Sequence, residues 1–353
     1  MLVSDFDFEL PTDLIAQSPP ERRDAARMLV VQNGGMRDEG VADFVKYLRP
    51  GDVVVFNNSK VVPARFEAGG HEFTLHTKTK SGWWALCKKF KRIKIGSRFT
   101  LADGTEISIH GKNDDSGLLV QFECEDPFAV LDKVGKLPLP PYVRRPQNDE
   151  DRERYQTIYA RHIGSLAAPT AGLHFTPELL GAIEEAGAKI VNITLHVGAG
   201  TWMPVKTEDT DKHKMHSERG FITPAQAKII AGAKRVIAVG TTSLRLLEAS
   251  EGRAFEDTTS IFITPGYKFK VVDVLLTNFH LPRSTLFMLV CAFAGTDEMK
   301  AAYAHAVAEK YRFFSYGDCC LLFGKEPKAK ISKGRRPGRF SSSRRPAPGR
   351  RPV

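Results

Sequence analysis

The sequence lacks any hydrophobic run long enough to cross a membrane, since the apolar stretch STLFMLVCAFAG at 284–295 is too short to span a bilayer. Its first residues, MLVSDFDFELPTD, contain no basic region ahead of an apolar one, so we expect no secretory signal. Only five of the 353 residues are cysteines, and no two have CxxC spacing. An odd number of unpatterned cysteines favours reduced thiols. We therefore expect a cytoplasmic protein with no membrane partner.

The common signatures of nucleotide and metal binding are also missing. No GxGxxG follows a predicted strand, so a Rossmann nucleotide site is not supported. The stretch HKMHSE contains His213, His216 and Glu218, whose spacing only loosely resembles a metal triad. Because neither a cysteine cluster nor an HExxH helix accompanies it, we expect no metal cofactor.

Charge is distributed unevenly along the chain. The formal net charge is +10, but residues 325–353 hold eleven Lys or Arg and one Glu. The first 324 residues therefore carry 40 basic and 40 acidic residues and have no net charge. The C-terminal segment is rich in Pro, Gly and Ser, which predicts a disordered basic tail. Such a tail either adds nonspecific attraction to polyanions or is a dispensable solvated extension.

The rest of the chain has the composition of a soluble globular protein, with 42% hydrophobic and 26% charged residues overall. From Arg65 to Glu125, short runs alternate apolar and polar residues between glycine-containing turn signals, which predicts an all-β unit. The segment PGDVVVFNNSK predicts a buried strand. From Tyr155 onward, predicted strands and helices alternate. The strands include TSIFIT and VVDVLLTNF, and TPELLGAIEEAGA predicts a helix that Thr176 caps. That alternation is typical of a mostly parallel sheet or barrel.

We therefore predict an α/β protein, with a barrel-like α/β main domain, an inserted small all-β barrel domain and a disordered basic C-terminal tail. The main domain is expected to be discontinuous and to comprise residues 1–63 and 151–324. The inserted domain, which includes the proline-rich return linker KLPLPPYVRRP, is expected at 64–150, and the tail at 325–353.

Small and polar residues gather where predicted strands end. The segment LHVGAGTW places Gly198 and Gly200 after one strand. The segment AVGTTSLR places Gly240, Thr242 and Ser243 where another strand turns into a helix. Free backbone N–H groups and hydroxyls at a helix start suit a carboxylate or phosphate. An ordinary tight turn and an ordinary helix cap are the alternatives.

Two further patterns favour a function. Histidines recur in the predicted loops of the second half, and histidine suits acid–base chemistry because it titrates near neutrality. For each of them, a hydrogen-bonded structural role is the alternative. The run CKKFKRIK surrounds Phe90 with Lys and Arg, a pattern that can hold phosphates and stack a base. A solvated strand–turn face is an equal alternative for this run.

Several loop-rich motifs occur in a fixed order between residue 4 and about residue 324. They include SDFDFELPTDLIAQSP, RPGDVVVFNNSKVVPAR, SLAAPTAGLHFT, VNITLHVGAGTW, VIAVGTTSLRLLE and YRFFSYGD. In these motifs the chain closely resembles the S-adenosylmethionine:tRNA ribosyltransferase-isomerase family of queuosine biosynthesis. It departs from the family where GAGTW replaces GAGTF and where CKKFKRIKIG replaces an Arg-x-Ser-Lys pattern.

The resemblance implies an enzyme that uses S-adenosylmethionine as a ribosyl donor and needs no metal. The ribosyl group is transferred and isomerised onto 7-aminomethyl-7-deazaguanine at the tRNA wobble position. Epoxyqueuosine is formed, and adenine and methionine are released. The implied partners are S-adenosylmethionine and the anticodon loop of queuosine-acceptor tRNAs, and we expect a monomer.

The resemblance and this chemistry imply three groups of site residues. The candidates for acid and base roles are His174, His196, His216, Glu218 and His280. The substrate-binding candidates are Thr170, Gly198, Gly200, Gly240, Thr242, Ser243, Asp273 and Asn278. The tRNA-binding candidates are Lys88, Lys89, Phe90, Lys91, Arg92, Arg144 and Arg245.

Three expectations about the donor site are more specific. Thr242 and Ser243 are expected to hold the methionine carboxylate, and Asp273 is expected to steady the sulfonium or ribose. The segment SLAAPTAGLHFT is expected to line the donor pocket, because its small residues leave room and its Thr170 and His174 supply polar contacts.

Two other functional classes remain as alternatives. One is an RNA-binding protein that kept the scaffold and lost catalysis. The other is an ordinary methyltransferase, which the missing Rossmann glycines disfavour. The products separate the three classes, because they are adenine plus methionine, no product, or S-adenosylhomocysteine.

Overall fold

The computed structural model of the chain describes residues 1–113, 117–198, 205 and 207–325. The strands are β1 (Arg27–Gln32), β2 (Gly35–Gly40), β3 (Asp52–Asn57), β4 (Ser59–Val61), β5 (Arg65–Ala68), β6 (His71–Thr79), β7 (Gly82–Cys87), β8 (Arg98–Thr100), β9 (Glu106–Lys112), β10 (Gly117–Phe122), β11 (His162–Ser165), β12 (Lys189–Leu195), β13 (Glu218–Ile222), β14 (Arg235–Val239), β15 (Phe255–Thr259), β16 (Val274–Asn278) and β17 (Cys319–Phe323). The α-helices are α1 (Pro127–Val134), α2 (Asp149–Arg154), α3 (Pro177–Glu185), α4 (Pro224–Ala231), α5 (Thr241–Ser250), α6 (Thr285–Ala294) and α7 (Thr296–Ala308). Short 3₁₀ helices lie at Val3–Phe6, Thr12–Leu14, Arg23–Ala25, Val41–Tyr47, Phe90–Arg92, Thr170–His174 and Thr210–Lys212. Within these described ranges, none of the helices is long and apolar enough to cross a membrane.

The larger sheet has nine strands in the order β15-β13-β12-β3-β14-β16-β17-β1-β2. Strand β3 lies inside it, and all six of its residues are buried. It pairs in parallel with β12 on one side and β14 on the other. The run DVVVFN, which predicted a buried strand, forms β3 because a strand covered on both faces has no exposed side for polar residues.

The sheet is mixed, which differs from the mostly parallel, barrel-like sheet that the sequence predicted. The neighbours β12–β13, β13–β15, β16–β17 and β1–β2 are antiparallel, and β15 and β2 lie at the edges. One cause is the short turn between β1 and β2. Asn33 and Gly34 both have positive φ, at 52° and 74°, and a two-residue turn of this kind joins only antiparallel strands.

The sheet is covered on both faces by apolar side chains. Along β3, Val53 and Val55 belong to one buried cluster, and Val54 and Phe56 belong to another. This alternation follows from the two-residue period of a strand. The first cluster includes residues of α5, α6 and α7, and the second includes residues of α3. The large core therefore lies in two layers, and the carboxyl ends of the parallel strands open at its edge.

The smaller sheet has six strands in the order β5-β6-β7-β10-β9-β8, and each neighbouring pair is antiparallel. It has its own buried cluster, which includes Phe66, Phe73 and Trp83. The strands run from Arg65 to Phe122, so the all-β unit that the alternation predicted is confirmed. Strands β4 and β11 pair in parallel, and they tie together the two chain segments that flank this unit. The boundaries at residues 64 and 150 stay a prediction.

The predicted helices of the second half are confirmed, but one predicted strand is wrong. The run TSIFIT was expected to be a strand, whereas β15 ends at Thr259 and residues 260–264 have no regular structure. The Thr259 hydroxyl accepts a hydrogen bond from the Ile261 N–H at 3.2 Å, and this local bond competes with the sheet. Ile263 is still buried in the core, so the apolar pattern indicated burial and not strand pairing.

Thr176 caps helix α3, as the sequence predicted. Its side chain accepts a hydrogen bond from the Leu179 N–H at 3.2 Å, and Pro177 occupies the first helical position. We expect Thr176→Ala to lower the free energy of unfolding by about 1 kcal/mol, because one N–H group of the first turn loses its partner. Urea unfolding at pH 7 measures this change. Thr176→Ser keeps the hydroxyl and should retain most of the stability, and equal losses in both variants would contradict the capping role.

Candidate active site

A cavity of about 390 Å³ lies beyond the carboxyl ends of β14 and β16. Its position agrees with the expectation that ligands of α/β sheets bind outside the ends of the parallel strands. The residues of the wall come from loops that are far apart in the sequence. They are Tyr142, Tyr155, Ala167, Ala168, Pro169, Thr170, Ala171, Val197, Val205, Gly240, Thr241, Thr242, Arg245, Thr277, Asn278, Phe279, His280, Leu281, Pro282, Arg283, Ser284, Thr285, Leu286, Phe314 and Ser315.

The segment SLAAPTAGLHFT supplies one side of the wall through residues 167–171. Its small residues allow close packing, because a side chain at Gly172 would meet the Tyr159 hydroxyl and would approach the Thr157 methyl group to 2.8 Å. The 3₁₀ helix Thr170–His174 then directs Thr170 towards Asn278 at the end of β16. Steric restriction therefore explains why this segment is built from small residues.

Asn278 connects several parts of the site. Its Nδ2 lies 3.0 Å from the Phe314 carbonyl oxygen and 3.3 Å from His174 Nε2. Its Oδ1 accepts a hydrogen bond from the Thr170 hydroxyl at 2.9 Å. Nδ2 also lies 3.4 Å from the Asp318 carbonyl oxygen. The amide thus joins β16, the 3₁₀ helix and the segment before β17, and two of the predicted substrate-binding residues are in direct contact.

His280 is buried and forms part of the cavity wall. Its Nε2 lies 3.1 Å from Thr277 Oγ1, and its backbone N–H donates to the Tyr303 hydroxyl at 2.9 Å. Burial lowers the pKa of His280 to about 3. The imidazole is therefore neutral at physiological pH.

His174 is buried next to this cavity but not in its wall. It lines a much smaller space of about 10 Å³ together with Pro19, Arg23 and others, and Asn278 links it to the main cavity. Burial lowers the pKa of His174 to about 4, and the nearby Arg23 and Arg312 also lower it. His174 is thus a neutral hydrogen-bond acceptor for Asn278.

The neutral state of His174 should make stability fall at mildly acidic pH. Because its folded pKa is about 4 and the unfolded pKa is about 6.5, its contribution is complete above pH 6.5 and is lost as pH falls below it. Between pH 7 and pH 5 this contribution should fall by about 2 kcal/mol. We expect the drop in unfolding free energy between these pH values to be smaller by that amount in His174→Gln, measured by urea unfolding. Equal pH dependence in both proteins would contradict a buried neutral His174.

Arg245 and Glu218 form a buried ion pair at the cavity. Arg245 Nη1 donates to Glu218 Oε2 at 2.6 Å, and the two side chains are only 3% and 4% exposed. Glu218 Oε1 also accepts the Gly198 N–H at 3.1 Å. The sequence predicted Arg245 as a tRNA contact and Glu218 as an acid or base. The structure instead places them together inside the protein, with Arg245 in the wall.

Comparison with known proteins identifies the family of this chain. The family described as "Queuosine biosynthesis protein" matches residues 3–322. The S-adenosylmethionine:tRNA ribosyltransferase-isomerase of Rhodospirillum rubrum is 49% identical over 338 residues, which cover 91% of this chain and 98% of that protein. The chain belongs to the S-adenosylmethionine:tRNA ribosyltransferase-isomerase family.

A second relative and a solved structure agree with this assignment. The protein of the same name from Parvibaculum lavamentivorans is 49% identical and covers 92% of this chain and 99% of its own. The crystal structure of S-adenosylmethionine tRNA ribosyltransferase from Thermotoga maritima matches with a TM-score of 0.52 and 32% identity, over 91% of this chain and 100% of that one. The prediction of an enzyme of the ribosyltransferase-isomerase family is confirmed.

Ser243 and Asp273, two of the predicted substrate-binding residues of this family member, do not line the cavity. The Ser243 hydroxyl donates to the Val239 carbonyl oxygen, at the end of β14, at 2.8 Å. Asp273 lies at the opposite end of β16 from Asn278, where its carboxylate accepts the Val236 N–H at 2.6 Å. Gly200 lies outside the described residues.

His196 and His216 also lie apart from the cavity wall. His196 Nδ1 is 2.7 Å from Ser59 Oγ, and burial together with His162 and Arg219 lowers the pKa of His196 to about 4. Its neighbour Val197 lines the cavity, and His196 does not. His216 is exposed. Of the five predicted acid–base residues, His280 alone is in the wall as described.

The predicted basic run forms a separate surface on the smaller sheet. Lys88–Arg92 and four neighbours, Glu72, Thr74, Leu86 and Cys87, line an open depression of about 540 Å³. Phe90 is partly buried against the core of that sheet. Arg144 is exposed, and its backbone N–H donates to Gln17 Oε1 at 2.8 Å.

Sequence reasoning missed the aromatic part of the cavity. Tyr142 and Phe314 stack with their ring centroids 4.5 Å apart, and both line the wall. The Tyr142 hydroxyl lies 2.6 Å from Ser315 Oγ, and burial raises the pKa of Tyr142 to about 12. The motifs LPPYVRRP and YRFFSYGD contained these residues, but no pattern within either one indicated that they meet.

The described residues contain no group of three His, Cys, Asp or Glu side chains that could hold a metal ion. His213, His216 and Glu218, which loosely resembled a metal triad, differ in environment. Glu218 is paired with buried Arg245, whereas His216 is exposed.

Proposed function

We propose that this chain transfers and isomerises the ribosyl group of S-adenosylmethionine onto 7-aminomethyl-7-deazaguanine at the wobble position of tRNA. Epoxyqueuosine is the product, and adenine and methionine are released. The observation that carries this proposal is the cavity at the strand ends. It has the size of a small-molecule site, and a few polar groups interrupt a mostly apolar and aromatic wall.

The reaction needs a base at the ribose carbon next to the sulfonium and a proton for the departing adenine. We assign His280 to acid–base chemistry, because it is in the cavity wall. Its neutral imidazole has one nitrogen that can accept a proton, and Thr277 orients the ring. His174 acts as a positioning residue through Asn278, and Glu218 acts as one through Arg245.

The donor and the base to be modified are held by the remaining wall residues. Thr170 and Asn278 offer hydrogen-bonding groups, and Gly240 lets the backbone before Thr242 turn with a φ of 87°. The stacked rings of Tyr142 and Phe314 offer an apolar aromatic surface for a purine-like base.

The tRNA is held outside this cavity. We propose that the basic depression at 88–92, together with Arg144, contacts the phosphates of the anticodon arm. The enzyme is expected to act in the cytoplasm as a monomer and without a metal. Free, buried thiols at Cys87, Cys291, Cys319 and Cys320 support a reducing compartment.

The test is an incubation with S-adenosylmethionine and tRNA that carries the 7-aminomethyl-7-deazaguanine precursor. Chromatography follows adenine and methionine, and mass spectrometry follows the modified nucleoside. We expect one adenine for each epoxyqueuosine formed. Formation of S-adenosylhomocysteine would indicate a methyltransferase, and tRNA binding with no product would indicate an RNA-binding protein.

The role of His280 is tested in the same assay. We expect His280→Gln to lower the rate of adenine release by about 10²–10⁴-fold, the usual contribution of a positioned acid or base. His110→Gln is the matched control, since His110 is exposed on β9 of the smaller sheet. An unchanged rate in His280→Gln would remove His280 from the chemical step.

A further inference from the structure

Arg245 is a buried cation that uses only part of its hydrogen-bonding capacity. Its Nη1 donates to Glu218, but its Nε and Nη2 atoms are buried and have no hydrogen-bond partner among the residues that the structure describes. A guanidinium carries five N–H donors, and a buried donor without a partner is destabilising. Because Arg245 is in the cavity wall, a ligand in the cavity can supply the missing acceptor.

The unused atoms form one edge of the guanidinium. The Nε and Nη2 groups point in the same direction and match the two oxygens of a carboxylate. Arg235 shows this geometry elsewhere in the protein, where its Nε and Nη2 lie 3.0 Å and 2.6 Å from the two Asp52 oxygens. The free edge of Arg245 is thus of the kind that binds a carboxylate in two places.

The start of helix α5 adds a second attraction for an anion at the same wall. The helix begins after Gly240, which has no side chain to cap it, and Gly240, Thr241 and Thr242 all line the cavity. Arg245 follows Thr241 by four residues, so both lie on one face of the ten-residue helix. The N–H groups of the first turn and the helix dipole favour negative charge at this position.

We propose that the Nε–Nη2 edge of Arg245, together with the first turn of α5, binds the methionine carboxylate of S-adenosylmethionine. The inference rests on the proposed function, since it assigns a subsite for the donor of that reaction. Glu218 is then a positioning residue, because it holds Nη1 and leaves the opposite edge facing the ligand. The role differs from the tRNA contact that the sequence predicted for Arg245.

Burial favours a carboxylate over a tRNA phosphate as the occupant. Arg245 is only 3% exposed, so an anion must enter the cavity to reach it. A backbone phosphate is connected to a nucleotide on both sides, whereas the methionine carboxylate ends a short flexible chain. The donor carboxylate can therefore reach the buried guanidinium without bringing a polynucleotide into the wall.

The experiment compares two donors that differ only in this group. Equilibrium dialysis measures the Kd of S-adenosylmethionine and of its decarboxylated analogue, with unmodified tRNA present and without it. We expect the wild-type protein to bind S-adenosylmethionine about 10- to 100-fold more tightly, the range for hydrogen bonds to a charged group. In Arg245→Lys the preference should fall to about threefold or less, since lysine keeps the charge for Glu218 but lacks the two-pronged edge.

The pattern across both donors separates recognition from a general structural effect. The proposal requires that Arg245→Lys raise the Kd of S-adenosylmethionine and leave the Kd of the decarboxylated analogue unchanged. An equal rise in both Kd values would overturn it. An unchanged donor preference with a raised Kd for tRNA would also overturn it and would assign Arg245 to a phosphate.

The wild-type protein alone also tests the subsite if Arg245→Lys does not fold. Equal wild-type affinity for the two donors, or no donor binding in either condition, overturns the proposal. Adenine release decides the proposed function separately. A protein that prefers the carboxylated donor but releases no adenine keeps the subsite and loses the function, and one that releases adenine from both donors with equal KM keeps the function and loses the subsite.

Discussion

Glu218→Ala should lower the free energy of unfolding by about 3–5 kcal/mol, among the largest effects of any single substitution in this protein. The substitution leaves the guanidinium of Arg245 buried without a counter-charge, because Arg245 is 3% exposed and Glu218 is its ion-pair partner at 2.6 Å. It also removes the acceptor of the Gly198 N–H. Urea unfolding at pH 7, followed by circular dichroism, measures the loss.

A double variant separates the effect of losing the ion pair from the effect of leaving one buried charge without a partner. Replacement of a buried ion pair by apolar residues of similar size is often close to neutral. We therefore expect Glu218→Leu combined with Arg245→Met to recover most of the stability that Glu218→Ala loses. If the double variant is as unstable as the single one, packing and not the buried charge is the cause.

Asn278→Ala should lower the free energy of unfolding by about 3 kcal/mol, because several buried groups lose a partner at once. The Phe314 carbonyl oxygen loses one of its donors, at 3.0 Å, and keeps the Gly317 N–H, and the Thr170 hydroxyl loses its acceptor at 2.9 Å. His174 Nε2 loses its contact at 3.3 Å. The same unfolding measurement reports this change.

Thr170→Val is the matched control for Asn278. It removes the single hydrogen bond from the Thr170 hydroxyl to Asn278 Oδ1 and keeps the shape of the side chain. We expect a loss of about 1 kcal/mol from it. If Asn278→Ala cost no more than Thr170→Val, Asn278 would not be the connection between β16 and its neighbours.

Local signals predicted the parts of the fold that depend on neighbouring residues. Thr176 could be recognised as a cap because its partner lies within a few residues of it. The strand β3 could be recognised because a strand that is buried on both faces forms a continuous apolar run. The cavity could be placed at the strand ends because Gly240 and Asn278 end predicted strands, and ligands bind beyond the carboxyl ends of parallel strands.

Other parts of the site depend on distant contacts that a single segment does not reveal. Asp273 and Asn278 lie in one short run, VVDVLLTNF, but they occupy opposite ends of β16, and the boundary of the strand alone decides which of them meets the cavity. Arg245 was predicted to contact tRNA, whereas the structure buries it. Its ion-pair partner Glu218 lies on β13, far from helix α5 in the sequence, so no single segment showed that the two would meet.

The position of β17 has a consequence for how the chain acquires its structure during synthesis. β17 lies between β16 and β1 in the nine-stranded sheet, although it is the last strand of the described chain. The hairpin of β1 and β2 is made first, yet within the described residues it joins the rest of the sheet only through β17, at residues 319–323. The sheet therefore cannot become continuous until β17 has left the ribosome. Until then β1 exposes an unpaired apolar edge, and the nascent protein is most exposed to aggregation in that interval.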